Sequence, residues 1–489
     1  MGVVVKQSVQ NTIYTYMGFA IGAVNTLFLY TNFLSDQYYG LVGYILSASN
    51  ILMPLLTFGV QNTLVKFYSS FKDDSEQGKF TYMMFLLPLL IIIPVGILGI
   101  AGYDIVVSFL SRKNQIVSDY VWVIYITAIA MAYFEVFFAW TKVHMKTVYG
   151  NFLKEVFLRI IVMLLLFAVF FNWLSAEGFI FGMMLAYILR MLLMMLSAIK
   201  VKRPVLVRSL PNDSSKIIRY TSLIILAGSI AMILLDVDKF MIGQYESIEN
   251  IAFYNVAVYM AAVIVVPARA MHQITYPLTA RLLNEKDKAG LSNLYKRSSL
   301  NLFIIGGLIF LLVVLNANQL YLIIPEQYRG GISVVFLIAV AKLFECLLGN
   351  NNSILFNSDY YRMVLFFGVF LAVLTIFLNT VFIPLWGING AAFATLMSFV
   401  AYSLIKIWFV YNKLQMHPFT FKTLGTAIVL LIFTGLFYFW DFTFHPLVNI
   451  VLKGSVIAIG YLLVIIKLKL SDDIVDLTEK IMLKTKLRR

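Results

Sequence analysis

The sequence predicts an all-α, polytopic membrane protein with about fourteen membrane-spanning helices, and three observations predict it. Hydrophobic residues fill 61% of the 489 positions and charged residues only 13%, where a water-soluble domain carries about 25% charged residues. Mean hydropathy is +0.87, so the chain cannot cover a soluble surface with polar groups, and disordered, fibrous and ordinary cytosolic folds are excluded. The apolar residues fall into stretches of roughly 20, the length that crosses about 30 Å of hydrocarbon as a helix. Finally, the basic residues crowd into alternate links between these stretches, the pattern of a chain threaded repeatedly through a bilayer.

The first six stretches run near Asn11–Asn32, Gly40–Tyr68, Phe80–Ala101, Asp119–Thr141, Asn151–Asn172 and Gly178–Ile199. After a link with Pro204 and Pro211, Lys200–Lys216, six more follow: Ile217–Gly243, Ile251–Pro277, Leu294–Leu315, Gly331–Asn352, Met363–Phe382 and Gly387–Tyr411. Two remain, Phe421–Trp440 and Leu447–Ile466. All are too long, and too poor in alternation, for barrel strands. No cleavable signal pattern precedes the first. Pro54 and Pro267, and Pro88 and Pro94 in span 3, interrupt stretches that otherwise read as continuous helix, and predict kinks. The end of the chain opens Ser471-Asp472-Asp473, a helix-cap pattern, then spaces Ile474, Leu477 and Ile481 among lysines. This reads as a basic amphipathic helix on the membrane surface, or as a frayed basic end.

With an even number of spans and the N-terminus inside, most of the 38 basic residues lie in inner segments. Arg112, Lys113, Lys239, Arg329 and Lys453 fall outside. This positive-inside bias places both termini in the cytoplasm. The net charge of +14 is then an orientation signal, with attraction to anionic inner-leaflet lipids as its second effect and no role for nucleic acid.

Shifting the chain by 212 positions lays Gln37-Tyr38-Tyr39-Gly40-Leu41 on Glu249-Asn250-Ile251-Ala252-Phe253, where spans 2 and 8 begin, and Gln61 on Gln273. Spans 1–6 and 7–12 thus read as repeats in the same orientation. The division expected is an N-terminal lobe over 1–203, a C-terminal lobe over 204–415, two extra helices over 416–470, and the basic tail over 471–489.

Polar side chains cost free energy in hydrocarbon, so stripes of them mark surfaces facing protein or water. Span 1 aligns Asn11, Thr15, Gly18, Gly22, Asn25 and Asn32; span 2 aligns Ser47, Asn50, Pro54, Thr57 and Gln61; span 8 carries Asn255, Tyr259, Arg269, Gln273 and Tyr276. Either these spans line a shared cavity, or small and polar residues glue helix to helix. Charges sharpen the cavity reading. Arg190 and Lys342 fall about 16–18 Å from a span end, near the midplane, and Arg269 lies deeper toward the cytoplasm, with Arg159 and Lys406 closer still to that face. Among the acids within spans, Glu135, Asp236 and Glu345 stand out. Lys342 and Glu345, three apart on one helical face, are spaced to pair as a structural lock or a functional switch. Asp238-Lys239 and Lys453 lie near the outer interface, where snorkelling explains them. Arg269, Lys342, Arg190, Asn25, Asn50, Gln61, Asn255, Tyr259, Gln273 and Tyr276 are therefore the candidate substrate-binding residues. Asp236 and Glu345 are the candidates for binding a coupling ion.

Catalytic chemistry is not indicated. The four histidines are scattered without metal spacing, and Cys346 is the single cysteine, so no metal site or cofactor is expected. The phosphate-cradling GxxxxGK[ST] and the nucleophilic GxSxG patterns are absent.

The segments Leu34-Ser35-Asp36-Gln37-Tyr38-Tyr39-Gly40-Leu41 and Phe58-Gly59-Val60-Gln61-Asn62-Thr63-Leu64-Val65-Lys66-Phe67-Tyr68, with Asp238-Lys239-Phe240-Met241-Ile242-Gly243 in the second repeat, resemble the multidrug/oligosaccharidyl-lipid/polysaccharide exporter superfamily. Within it, the chain is most similar to bacterial polysaccharide-unit flippases. The resemblance implies two six-helix lobes in a V, open alternately to each side, with spans 1, 2, 7 and 8 around the cavity. It implies cavity cations on the substrate's phosphate, with Arg269 as the span-8 arginine, and spans 13 and 14 beside a groove for a polyprenyl chain. Span 1 has Asn11, Thr15 and Asn25 where peptidoglycan-precursor flippases carry arginines. The function so implied is transfer of an undecaprenyl-pyrophosphate-linked oligosaccharide, a capsule, exopolysaccharide or O-antigen unit, across the cytoplasmic membrane. H⁺ or Na⁺ is the implied coupling ion, and a glycan polymerase a partner. The alternatives are a cation-coupled multidrug exporter of the same fold, a lipid II flippase, and a membrane-embedded glycan enzyme or scaffold.

Overall fold

The computed structural model describes residues 2–71, 73–205, 207 and 209–476, and among them there is no strand. Ten helices of the described residues are long and apolar enough to cross a membrane. The chain divides into two compact units, Met1–Asn255 and Val256–Arg489.

In the first unit, α1 (Gly2–Val24) passes through a π-helical turn, Asn25–Leu29, into α2 (Tyr30–Phe33). The helix α3 (Asp36–Thr57) starts where Ser35 accepts the Tyr38 N–H, an N-cap that satisfies one orphan donor. Two left-handed residues, Phe58 (φ 52°) and Gly59 (φ 69°), then break it from α4 (Val60–Phe67). A side chain at Gly59 would meet the Thr221 carbonyl at 2.8 Å, so glycine is required for both shape and space. Next come α5 (Asp74–Ala101), which carries Pro88 and Pro94, the short α6 (Tyr103–Leu110), and α7 (Val121–Val143). The fifth apolar stretch is α8 (Val148–Phe152), a second π segment, Leu153–Phe157, and α9 (Leu158–Phe170). Then follow α10 (Ala176–Val201) and α11 (Ser214–Tyr245), with α12 (Glu249–Ala262) crossing into the second unit.

The second unit continues with α13 (Val266–Asn284), α14 (Lys288–Leu315), α15 (Ala317–Tyr321), α16 (Ile332–Leu347) and α17 (Asn351–Asn357). Its longest helix, α18 (Tyr361–Leu414), would be about 80 Å long if straight, far beyond a bilayer. It is two spans joined at Gly387, whose φ of 56° and ψ of −132° suit glycine alone. Finally come α19 (Phe421–Phe437) and α20 (Pro446–Lys467).

Helix ends recur at the spacing read from the sequence. The run from Gly2 to Phe33 and the helix from Ser214 to Tyr245 begin and end 212 positions apart. The breaks before α5 and α14, α6 and α15, and α7 and α16 keep nearly that offset. The first compact unit nevertheless runs past the first repeat, because α11 packs along α3 and α4. Thr63 meets Thr221 at 3.0 Å, Lys66 lies 3.8 Å from the Tyr220 ring, and Tyr44 stacks on Phe240.

Two sequence expectations are corrected. Lys453 does not snorkel: it is fully buried and pairs with Asp441 at 2.9 Å, because the link after α19 folds back over α20. There Asn449 donates to the Phe442 carbonyl and accepts its N–H. Asp236 and Asp238 are likewise buried, the first paired with Lys239 at 3.0 Å and the second accepting from Tyr254 at 2.7 Å. At the end of the chain Ser471 accepts the Ile474 N–H, the cap its sequence predicts. Residues 472–476 are helical, while Leu477 and Ile481 lie outside the described residues.

Candidate functional site

The polar stripe of α1 is used mainly for packing inside the first unit. Asn11 donates to Thr147 at 3.1 Å, and the Asn25 amide donates to the Arg159 carbonyl at 2.8 Å. Gly18 lies so close to the second π segment that a Cβ there would sit 2.2 Å from the Glu155 carbonyl oxygen. Small residues here let two helices approach, the packing role weighed above. Asn25 remains notable, because it is buried and its Oδ1 has no partner among the described residues. On α3 and α4, Asn50 and Gln61 are half-buried, and the Gln61 Oε1 is sealed off with no partner among the described residues. Asn255 is half-buried beside Gly43.

A charged cluster fills the middle of this unit. Glu135 of α7 pairs at 2.7 Å with Lys154, which the second π segment presents. Glu155 on that segment pairs with Arg159 at 3.0 Å. Lys142 lies 4.0 Å from the Phe138 ring. Arg190 of α10 is buried, with its guanidinium 4.2 Å from the Phe134 ring and 4.8 Å from that of Tyr187. No carboxylate of the described residues forms an ion pair with it, and its Nε has no hydrogen-bond partner. A buried cation held by two ring faces is stabilised by their quadrupoles, yet it keeps hydrogen-bonding capacity for an anion. Four cations and two acids in one helix core leave it positively biased.

At one end of the unit Asn114 donates to the Gly243 and Glu246 carbonyls and accepts the Ile248 N–H, at 2.8–2.9 Å. One side chain thus pins the turn between α11 and α12. Gln244 donates to Tyr44 Oη at 2.6 Å beside it.

In the second unit Arg269 projects from α13 as an exposed side chain, and nothing among the described residues pairs with it. Tyr276, two turns on, is exposed, and Tyr259 on α12 is half-buried. The side chain of Gln273 lies outside what the structure describes. Lys342 and Glu345 pair at 2.8 Å, as their spacing predicts, and the Lys342 ammonium sits 4.8 Å from the Phe399 ring. Lys406, on the second half of α18, is completely buried, donates to Asn352 Oδ1, and lies 3.3 Å from Tyr402 Oη. Sequence reading noted Lys406 as a charge near the cytoplasmic face. What it missed is its closure within the helix core, with Asn352 rather than a carboxylate as its acceptor.

Breaks in the helices, buried charges set across them and a repeated order of spans define a polytopic membrane protein of the multidrug/oligosaccharidyl-lipid/polysaccharide exporter fold. Solved structures share it. The lipid II flippase MurJ in an inward closed conformation superposes with a TM-score of 0.69, at 14% identity, over 93% of this chain and 98% of that one. An inward-facing multidrug resistance MATE family transporter of the same superfamily gives 0.64 at 14% identity, over 82% and 94%. A superfamily transporter from Pyrococcus furiosus, described by the reverse polarity of its binding pocket, gives 0.52 at 12% identity, over 84% and 96%. At such identities these likenesses establish the fold. No curated protein matches the chain. The family model described as "Polysaccharide biosynthesis protein" matches residues 6–283, more than half of the sequence, and the chain belongs to that family.

Proposed function

We propose that the chain is a flippase that moves an undecaprenyl-pyrophosphate-linked oligosaccharide, a capsule, exopolysaccharide or O-antigen unit, across the cytoplasmic membrane by alternating access. The observation that carries this reading is the surplus of intramembrane cations. Among the described residues Arg190 is buried without a carboxylate partner, Arg269 is exposed without one, and Lys406 is buried on an amide. Such charges are costly in hydrocarbon and are retained where an anion or water meets them. A pyrophosphate supplies that anion, held by Arg269 with Lys342 or Arg190, while Asn25, Asn50, Gln61, Asn255 and Gln273 offer hydrogen bonds. Tyr259 and Tyr276 offer ring faces to sugars. The glycan crosses in a hydrated, positively biased hollow and the lipid tail stays in hydrocarbon.

In this reading the lobes are 1–203 and 204–415, with 416–470 as the added pair of helices and 471–489 as a basic tail on the anionic inner leaflet. Both termini are cytoplasmic, the product passes to a glycan polymerase, and the chain makes or breaks no covalent bond. Asp236 and Glu345, each already holding a lysine, are the groups that exchange that lysine for H⁺ or Na⁺. Arg269→Ala, an exposed substitution that leaves packing intact, is expected to abolish glycan export at normal protein levels; export at the original rate refutes the site.

The MATE likeness keeps a second reading in view, a cation-coupled multidrug exporter. Acidic pockets suit cationic drugs, whereas cations outnumber acids in the charged cluster around Glu135 and Arg190. A deletion strain that gains drug sensitivity and keeps its surface glycan decides for the exporter.

A further inference from the structure

The charges inside the first unit are arranged around one acid. Phe134, Glu135, Phe138 and Lys142 are spaced three, four and seven apart on α7, so they share one side of the helix. Gly150 lets α8 close on that side, because a Cβ there would overlap the Phe138 ring. The π turn that follows α8 presents Lys154, which reaches Glu135 at 2.7 Å. The two rings carry the other cations. Arg190 lies 4.2 Å from the Phe134 ring and Lys142 4.0 Å from the Phe138 ring, and the rings are 5.9 Å apart.

Ring faces offset a charge without accepting the hydrogen bonds its N–H groups can make along their own directions. Among the described residues the Arg190 Nε has no partner and Lys142 forms no ion pair. Lys154, Lys142 and Arg190 all act on the Glu135 carboxylate, so a single acid serves three cations. A carboxylate and a phosphate group offer ammonium and guanidinium groups the same chemistry, oxygen acceptors on a negative centre. A diphosphate offers more of both. Exposure is graded across the cluster: Arg190 is 7% exposed and Glu135 8%, whereas Lys142 and Lys154 are half-buried. An anion therefore arrives on the lysine side, with Arg190 at the closed end.

We propose that Glu135 is an internal stand-in for the substrate's phosphate: it holds Lys154 in the empty protein and yields it, with Lys142 and Arg190, to the diphosphate that enters. The proposal rests on the flippase reading above and adds to it a competitor built into the site. A competing acid weakens the bound state, and transport needs a site that holds its cargo loosely enough to let it go. Glu135 thereby opposes binding and favours turnover, so its removal moves two measurements in opposite directions. A residue that only braced α7 would lower both. The probe is inorganic pyrophosphate, titrated calorimetrically into the protein in phosphatidylcholine nanodiscs at fixed ionic strength, with glycan export scored in cells.

Glu135→Gln is expected to bind pyrophosphate at least fivefold (~5-fold) more tightly than wild type and to export glycan more slowly. Lys142→Met and Arg190→Gln should bind it correspondingly more weakly. Glu76→Gln and Lys79→Met change the net charge equally but break a pair outside the cluster, and should match wild type. Binding by Glu135→Gln that equals or falls below wild type overturns the proposal. So does undiminished binding by Lys142→Met, a half-buried change that tests the site even where Glu135→Gln does not fold. Glycerophosphoglycerol, the diester head of an anionic phospholipid, is the second probe. If it binds as tightly as pyrophosphate and follows the same variants, the site belongs to lipid headgroups and the assignment to substrate fails. Unchanged affinities in all three cluster variants, with export lost in Arg269→Ala, sink this proposal and leave the flippase reading standing. A deletion strain with intact surface glycan removes the flippase reading, and the proposed substrate with it.

Discussion

The Glu135–Lys154 pair offers a direct test of the charged interior of the first unit. At an N–O separation of 2.7 Å, Coulomb's law gives about 6 kcal/mol at an effective dielectric of 20. Most of that does not survive as stability. Glu135 gives up its water, while the Lys154 side chain keeps 37% exposure and is screened by solvent. Lys142 and Arg190 also act on the carboxylate, so its loss of one cation is partly covered. The remaining coupling between the two side chains is about 1–2 kcal/mol. A double-mutant cycle with Glu135→Gln and Lys154→Met, followed by reversible unfolding in mixed micelles, measures it directly. Glu135→Gln is expected to cost more than Lys154→Met, because it leaves the four cations of the cluster with Glu155 as their one acid. The double variant should be more stable than the sum of the singles predicts. Additivity within about 0.3 kcal/mol would mean that the two groups do not feel each other, and the charged core as described would be wrong.

Three further outcomes follow from local geometry. Asn114→Ala leaves three backbone groups without their partner at once and should cost about 2–4 kcal/mol, seen as faster hydrogen exchange at the Ile248 N–H, the amide hydrogen that Asn114 holds. Gly18→Val places side-chain carbon against the Glu155 carbonyl, so it should destabilise by about 1–3 kcal/mol and lower the midpoint of thermal unfolding. At the end of the chain, Arg297 and Asn301 grip Asp473 and hold its carboxyl below the usual carboxylate range. A lowered folded value means that the contact is complete above about pH 4 and is lost as pH falls through that lowered value. Limited proteolysis after Ser471 should accordingly be flat between neutral and mildly acidic pH and rise only below it, whereas Arg297→Ala should expose the segment at neutral pH.

How much of this was legible before the coordinates depends on where each cause lies. Spans are set by local composition, and every apolar stretch coincides with helix, with the break near Gly387 marked by Pro384 and Gly387 themselves. The Lys342–Glu345 pair was legible because three residues on one helix fix a distance. Glu135 and Lys154 were not, since they meet between helices through a π turn whose extra residue shifts the face that Lys154 presents. The stripe on α1 illustrates a real ambiguity: the same pattern of Asn, Gly and Thr serves a wet surface or a tight helix contact. Only Gly18 against the Glu155 carbonyl decides for the latter along that part of α1. Asn114 gave no signal at all, being one asparagine in a loop whose importance comes from the turn it caps.

The repeat also shows what the fold conserves between its halves and what it leaves free. In each half the fourth span carries an acid, Glu135 on α7 and Glu345 on α16, and the sixth carries a buried cation, Arg190 on α10 and Lys406 on α18. The helices correspond, but the registers do not: 212 positions after Arg190 stands Tyr402, and Lys406 lies one turn further on. The surroundings differ accordingly, Arg190 resting on ring faces and Lys406 on the Asn352 amide. Among the described residues neither cation has a carboxylate at hydrogen-bond distance: Arg190 rests on rings and Lys406 on a neutral amide, so neither charge is compensated there. Each half instead spends an acid on a different lysine, Lys154 or Lys342, and leaves a second cation without a paired carboxylate in the core. That arrangement costs stability in a membrane, and a negatively charged ligand is what would offset it. Charge-removing variants at Arg190 and Lys406 should therefore leave the apo protein as stable or more so, while an anionic ligand stabilises the wild type and not the variants.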